Sequence, residues 1–401
     1  MALKLNQELK NQLDQGFSCQ FGAMPQRYFS APGRTEIGGN HTDHQRGCVL
    51  AGAVDLDSVA AVRENGTDTI RILSEGYPLC EVSLTELAPV ESEINSTASL
   101  VRGVAARFVE LGAAVKGYDA FIKSTVLPGS GLSSSAAFEV LLGTICNSLF
   151  FDNRLPMPEI AKIGQYAENV YFGKPCGLMD QMASAVGNLV AIDFNDPEKP
   201  IITPVAFDFS TCGYALCIID SKASHADLTD EYAAVPKDMK AIAGYFGATA
   251  LRDVPEEKFY ANIPALRAQF GDRAVLRAIH FYGDNSRVGE QVKALQNGDF
   301  DAFLHLIRES GQSSWMYLQN VVPAGYIAHQ DMAIALGVCH KLLGDRGAFR
   351  VHGGGFAGTI QAFVPVDMLD AFRAGMDAVL GEGACHILSI RPHGGVEMEI
   401  E

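Results

Sequence analysis

Between Leu127 and Ala137 the chain reads Leu-Pro-Gly-Ser-Gly-Leu-Ser-Ser-Ser-Ala-Ala. A strand-like stretch, Tyr118–Val126, precedes this segment, and a helical pattern from about Ser134 to Leu149 follows it. The spacing therefore predicts strand, tight turn and helix in that order. Glycine lets the backbone take positive φ and pass close to a ligand. The first N–H groups of the following helix are unpaired and sit at the positive end of its dipole. Serine hydroxyls at a helix start can cap it or reach a metal ion. Together these features predict a phosphate cradle. No Gly-Lys-Ser/Thr closes the loop, and its glycines are not spaced as in a dinucleotide fingerprint. The second point disfavours an oxidoreductase.

The rest of the chain must support such a loop. Its 401 residues suggest two domains, and 48% hydrophobic residues with 40 glycines describe a folded protein rich in turns. The formal charge of −16 argues against a nucleic-acid partner. Nine cysteines lack metal-ligand spacing, which fits reduced thiols. Met1–Gly16 has no signal-peptide core, and no apolar run reaches bilayer length. The expectation is a cytoplasmic protein with no membrane partner and no obligatory protein partner.

Helices are predicted over Leu3–Leu13, 98–111, 134–149, 158–171, 226–246, 277–296, 300–311, 326–343 and 367–380. Strands are predicted over 48–54, 59–63, 69–73, 118–126, 189–194, 214–220, 359–364 and 386–391. The polar, turn-rich Asn195–Pro200 suggests a boundary nearby, giving domains 1–205 and 206–401. This mixed order predicts an α+β enzyme rather than a doubly wound sheet.

Two further segments carry chemistry. Ala31-Pro32-Gly33-Arg34-Thr35-Glu36-Ile37-Gly38-Gly39-Asn40-His41-Thr42-Asp43-His44 reads as a Gly-flanked loop bearing the polar groups that a hydroxyl-rich ligand requires. His352-Gly353-Gly354-Gly355-Phe356-Ala357-Gly358 is a second glycine loop, feeding a strand. Phosphoryl transfer needs a phosphate cradle, a divalent cation, a cation near the migrating group and an acceptor for the hydroxyl proton. These three segments can supply them.

In this order the segments resemble the three motifs of the GHMP kinase superfamily, in its galactokinase branch. Pro175-Cys176-Gly177-Leu178-Met179-Asp180-Gln181 resembles the galactokinase catalytic segment, and the matches span residues 31–358. The resemblance implies a two-domain GHMP-kinase-like fold with the active site between the domains. It implies ATP-dependent phosphorylation of a small-molecule sugar, galactose to galactose 1-phosphate, with Mg²⁺. Asp180 would take or orient the hydroxyl proton, and Arg34 would pair with it. Pro128, Gly129, Ser130, Gly131, Leu132, Ser133, Ser134 and Ser135, with Gly354 and Gly355, would bind nucleotide. Ser135 and Glu168 would ligate Mg²⁺. Asn40, His41, Asp43, Gly177 and Tyr232 would line the sugar pocket.

The sequence departs from the branch at Asn40, where galactokinases usually carry a Glu that contacts the sugar's C6 hydroxyl. This change predicts a pocket that has lost a negative charge at C6. It keeps a uronic acid, an amino sugar or a pentose as alternative substrates. A sugar- and ATP-binding regulator without turnover is the alternative from another class. Thr97 and Leu100 stand where an aromatic pair is often found. Trp315, the single tryptophan, is expected in a core or helix-packing role.

Overall fold

The computed structural model describes residues 3–126, 131–223 and 228–401. Pro128, Gly129 and Ser130 of the expected phosphate loop lie outside the described residues, as does the expected helix start at Ala226. Along the chain run β1 Lys4–Leu5, α1 Gln7–Phe21, β2 Arg27–Gly38, β3 Cys48–Glu64, β4 Thr69–Ser74, β5 Cys80–Ser83, α2 Thr97–Glu110, β6 Tyr118–Ser124, α3 Ser134–Phe150, α4 Met157–Tyr166 and α5 Met179–Val186. Then follow β7 Leu189–Asp193, β8 Ile201–Val205, β9 Tyr214–Asp220, α6 Thr229–Tyr245, α7 Glu256–Ala261, α8 Ile263–Phe270, α9 Asp272–Gln296, α10 Phe300–Ser313, α11 Asp331–Leu343, β10 Ala348–His352, β11 Thr359–Pro365, α12 Leu369–Leu380, β12 Cys385–Leu388, β13 Val396–Glu397 and β14 Glu399–Ile400. The chain divides into two compact units. One holds 1–34, 52–188 and 391–401, and the other holds 35–51 and 189–390.

In the first unit the strands are ordered β13-β2-β3-β6-β4-β5. In this path β4–β6 is a parallel pair, while β13–β2, β3–β6 and β4–β5 are antiparallel. Helix α1 packs on β6 through Leu13 and Phe17, which share a core with Tyr28, Val59 and Phe121. Helices α2 to α5 pack on one another. Where α4 ends, residues Ala167–Phe172 widen into a π-helical turn that carries Glu168. Such turns are rare and recur at functional sites. Gly103 of α2 makes room for this turn: a Cβ there would stand 2.8 Å from the Ala167 Cβ and 2.9 Å from its Cα.

In the second unit β10-β11-β9-β12 form an antiparallel sheet. Helices α11 and α12 cover it with Met332, Leu336, Cys339, Phe372 and Met376 against Cys217, Ile219, Val351 and Ile360. A second core joins α6, α8 and α9 through Met239, Ile242, Leu266, Ala278 and Phe281. Thr35 and Glu36 belong to this unit through a buried polar layer. The Glu36 N–H donates to His352 Nε2 (3.1 Å), and Gln361 Nε2 donates to Thr35 Oγ1 and the Glu36 carbonyl.

Three departures from the sequence reading have physical causes. Residues 31–38, read as a loop because of Pro32, Gly33 and Gly38, lie in the twelve-residue strand β2. The two predicted strands 48–54 and 59–63 are one strand of 17 residues, because Asp55 to Ser58 continue it across a polar interval. Trp315 is 46% exposed on a second π-turn, Ser314–Leu318, rather than in a core.

Close packing at Gly103 makes a prediction. Gly103→Val is expected to destabilise the protein by about 1–3 kcal/mol through overpacking. Gly244, in α6, has nothing within 4 Å of its Cβ position. Gly244→Ala should gain about 0.4–1 kcal/mol by restricting the unfolded chain. Urea midpoints of the two variants should move in opposite directions.

Candidate active site

In the first unit the site begins at Arg34 on β2. Gly33 precedes it because a Cβ there would meet the Leu132 carbonyl oxygen at 2.9 Å. The strand can therefore approach the loop closely enough for the Arg34 N–H to donate to that same carbonyl at 2.9 Å. The Arg34 guanidinium donates Nη1 to the Gly131 carbonyl. Its other edge meets Asp180 in a two-point pair, Nε to Oδ1 at 2.7 Å and Nη2 to Oδ2 at 2.8 Å. Bidentate pairs of this kind fix orientation as well as charge. Arg34 is buried, while the Asp180 side chain keeps about a third of its surface. Burial pushes the Asp180 carboxyl upward, but the Arg34 charge and its hydrogen bonds, helped by Ser133, hold it below the usual range. Asp180 is therefore ionised at neutral pH.

The described part of the phosphate loop turns into α3 through left-handed residues, Gly131 at φ 71° and Ser133 at φ 58°. Ser133 makes no side-chain cap, and the first backbone bond of the helix runs from the Ala137 N–H to the Ser133 carbonyl. The amides of Ser134, Ser135 and Ala136 thus lack intrahelical acceptors, as at any helix start. The Ser135 hydroxyl faces Glu168 Oε1 at 3.4 Å.

Glu168 is buried, and its carboxylate oxygens are met by neighbouring donors. Lys174 Nζ donates to Oε1 at 3.1 Å, and Gln181 Nε2 donates to Oε2 at 2.9 Å. The same Gln181 Nε2 reaches Glu139 Oε2 at 2.9 Å. Burial, reinforced by the nearby Glu168 carboxylate, pushes the Glu139 carboxyl well up. Sequence reasoning missed Glu139, Lys174 and Gln181. Their only signal was position: one lies on the helix behind the Gly/Ser turn, one next to Asp180. Gly177 lies half-buried just before α5 and makes no hydrogen bond to this group.

A separate constellation occupies the second unit. Asn40 is fully buried. Its N–H donates to Asp284 Oδ2 (2.8 Å), and its carbonyl faces His280 Nε2 (2.9 Å). Its Nδ2 donates to the Gly353 carbonyl (2.6 Å) and to Glu36 Oε1 (3.1 Å). Its Oδ1 accepts from Asn320 Nδ2 (2.9 Å) and Ser314 Oγ (3.3 Å). These contacts use every donor and acceptor of the Asn40 amide. His41, at φ 59°, places Nε2 3.0 Å from the Gly354 carbonyl. The Tyr232 hydroxyl donates to the Gly355 carbonyl at 2.8 Å. Gly354 and Gly355 must be glycines here: a Cβ would lie 2.8 Å from the Tyr232 ring or 2.2 Å from the Asn320 carbonyl oxygen. Asp43 stands apart, accepting the His44 N–H at 2.9 Å. His280 and Asp284 were read only as parts of a helix; their i, i+4 spacing on its buried face was the available signal.

With these two constellations described, the comparisons decide the family. The chain is 32% identical to a galactokinase of Actinobacillus pleuropneumoniae over 361 residues, covering 90% of each chain. It is 33% identical to a galactokinase of Glaesserella parasuis over 368 residues, covering 89% of this chain and 90% of that one. The chain belongs to the galactokinase family. The galactokinase galactose-binding signature matches residues 15–64, and the GHMP kinases N terminal domain matches 99–188. The crystal structure of Lactococcus lactis galactokinase complexed with galactose superposes with a TM-score of 0.83 at 25% identity, over 96% of this chain and 99% of that one. A mevalonate kinase shares the fold, with a TM-score of 0.66 at 14% identity over 92% of this chain and all of that one. The resemblance read from the motifs is thereby established for the family and the fold. In this galactokinase-family chain the first signature contains Arg34, Glu36, Asn40 and His41. The N-terminal domain match contains the Ser135–Glu168–Asp180 group.

The buried state of His41 has a pH consequence. Burial, then the neighbouring His44, push its pKa down from 6.5 to about 4, with the Gly354 carbonyl opposing in part. The unfolded chain therefore binds a proton that the folded chain refuses between those values. His41 favours the folded state fully above about pH 6.5, and this contribution falls as pH drops towards 4, by about 1.4 kcal/mol per pH unit. His280 is shifted in the same direction by burial. His41→Asn tolerates the left-handed backbone and should remove one proton's share of the slope. Denaturant stability measured from pH 7.5 to 4.5 for both proteins checks it.

Proposed function

We propose that this chain transfers the γ-phosphoryl group of ATP to the C1 hydroxyl of galactose, giving galactose 1-phosphate and ADP. The observation that carries this reading is the two-point Arg34–Asp180 pair beside the open N-terminus of α3. A bond forms between sugar O1 and Pγ, the bond from Pγ to the bridging oxygen of ADP breaks, and the hydroxyl proton passes to Asp180. An ionised carboxylate held by a cation is competent to accept or orient that proton. Arg34 supplies positive charge near the migrating group, and the amides of Ser134, Ser135 and Ala136 hold phosphate oxygens. A cavity of about 350 Å³, lined by Ile72, Tyr77, Thr97, Ile122 and Phe138 and reaching Ser134 and Ser135, suits the nucleoside. Tyr77 offers an aromatic face there. His41, Asp43, Gly177 and Tyr232 are assigned to the sugar, and Gly354 and Gly355 to the nucleotide.

Mg²⁺ fits the residues present. It prefers oxygen ligands and takes one or two carboxylates with water and substrate phosphates, rather than an all-protein cage. Among the described residues no group of three or more His, Cys, Asp or Glu is placed to hold a metal. Glu168, paired with the Ser135 hydroxyl, would hold the ion with the phosphates, and bound Mg²⁺ would neutralise their charge. Gln181 helps to keep Glu168 oriented. Among the described residues no helix is long and apolar enough to cross a membrane. The nine cysteines are all unbridged. With ATP as a substrate, these points support the cytoplasm as the place of action.

The reading is tested with a sugar panel, ATP and Mg²⁺, and identification of the phosphorylated carbon. Galactose is expected to be the best acceptor, at C1; a product phosphorylated elsewhere, or no turnover with any sugar, sinks it. Asp180→Asn should lower kcat by roughly two to four orders of magnitude while the fold persists. Ser135→Ala and Glu168→Gln should raise the Mg²⁺ concentration needed for half-maximal rate more than they raise the galactose KM. Unchanged metal dependence would remove both from the metal site.

A further inference from the structure

We propose that Asn40 is a positioning residue that clasps the glycine loop Gly353–Gly358, and does not read the sugar. This rests on the kinase reading above. Three successive carbonyls of the loop are held by side chains: Gly353 by Asn40, Gly354 by His41 and Asn320, and Gly355 by Tyr232. Across a trans peptide the carbonyl of one residue and the N–H of the next point in opposite directions. Pinning the Gly353 and Gly354 carbonyls therefore turns the N–H groups of Gly354 and Gly355 away from the clasp. Among the described residues neither N–H has a protein acceptor. The next N–H, of Phe356, is returned to the Asn320 carbonyl at 2.5 Å. Gly353 at φ 68° and Gly355 at φ 79° shape the turn as a concave arrangement of donors, suited to an oxygen of a phosphoryl group or a hydroxyl.

The chemistry of position 40 explains why it carries an amide. The side chain must donate twice, to Gly353 and Glu36, and accept twice, from Asn320 and Ser314. A carboxylate would place its charge against the Glu36 carboxylate and the Gly353 carbonyl. Glu36 is itself paired with the buried Arg350, so the negative charge this pocket can accommodate is already present at residue 36. Only Asn or Gln offers both donors and acceptor, and the backbone at Asn40 is gripped at both ends, by Asp284 and His280.

The test uses Asn40→Ala and Asn320→Ala, with galactose and 6-deoxygalactose as acceptors, and hydrogen–deuterium exchange of the segment 353–358. The clasp predicts that each variant loses kcat by about tenfold or more, by the same factor for both sugars, with sugar KM nearly unchanged. It also predicts faster exchange across 353–358. A loss confined to galactose, or a changed galactose to 6-deoxygalactose ratio, would mean that Asn40 reads C6 and would overturn the proposal. So would unaltered exchange in 353–358. Should Asn40→Ala fail to fold, Asn320→Ala breaks the same layer at one remove and decides by the same readouts. If the wild-type chain phosphorylates neither sugar, the proposed reaction fails, and the exchange measurement still decides the clasp.

Discussion

The first unit depends on one ion pair. Arg34 is almost fully withdrawn from water, and a guanidinium there is tolerable only if its donors are met. Asp180 takes two of them, and the Gly131 carbonyl takes another. The same residue therefore sets the direction of the Asp180 carboxylate and the backbone course of the loop into α3. Breaking such a pair from one side leaves a buried charge uncompensated, at a cost of about 3–5 kcal/mol. Loop geometry and carboxylate charge are in this way two readings of one contact.

Charge is then rationed among three neighbouring carboxyls. Arg34 holds the Asp180 carboxyl below its usual range, while burial and the nearby Glu168 push the Glu139 carboxyl well up. Gln181 touches both glutamates with one nitrogen, while its sequence neighbour is Asp180. One helix start thus carries both the Asp180 carboxylate and the donor that supports Glu168.

Much of this was legible in the sequence, for reasons that differ by residue. The Gly/Ser turn declared itself because glycine and serine there answer a local backbone need, and α3 begins at the expected Ser134. Arg34, Asp180 and Glu168 were found through motif order. Strand β2 was not, because its side chains and glycines serve packing against other elements: Gly33 yields to Leu132, and Gly38 lies against Gln291. Local propensity sees loop residues where the tertiary structure has a strand. The π-turn at Glu168 was invisible for a similar reason. It depends on Gly103, more than sixty residues earlier, admitting Ala167.

Asn40 keeps its motif position while its amide is engaged by other parts of its unit. The motif fixes the backbone position, and that part holds: residues 40 and 41 do lie beside the third glycine loop within their unit. What a side chain does there is decided by its partners, which are distributed over Glu36, Ser314, Asn320 and Gly353. Exchanging an acid for an amide at one point of a buried network changes the polarity every neighbour must present. The protein meets that demand with an acid elsewhere, Glu36, whose charge is matched by Arg350. A substitution that looks, residue by residue, like a change of substrate can therefore be a relocation of charge within the protein, with the ligand-facing surface left to the backbone amides that the network orients.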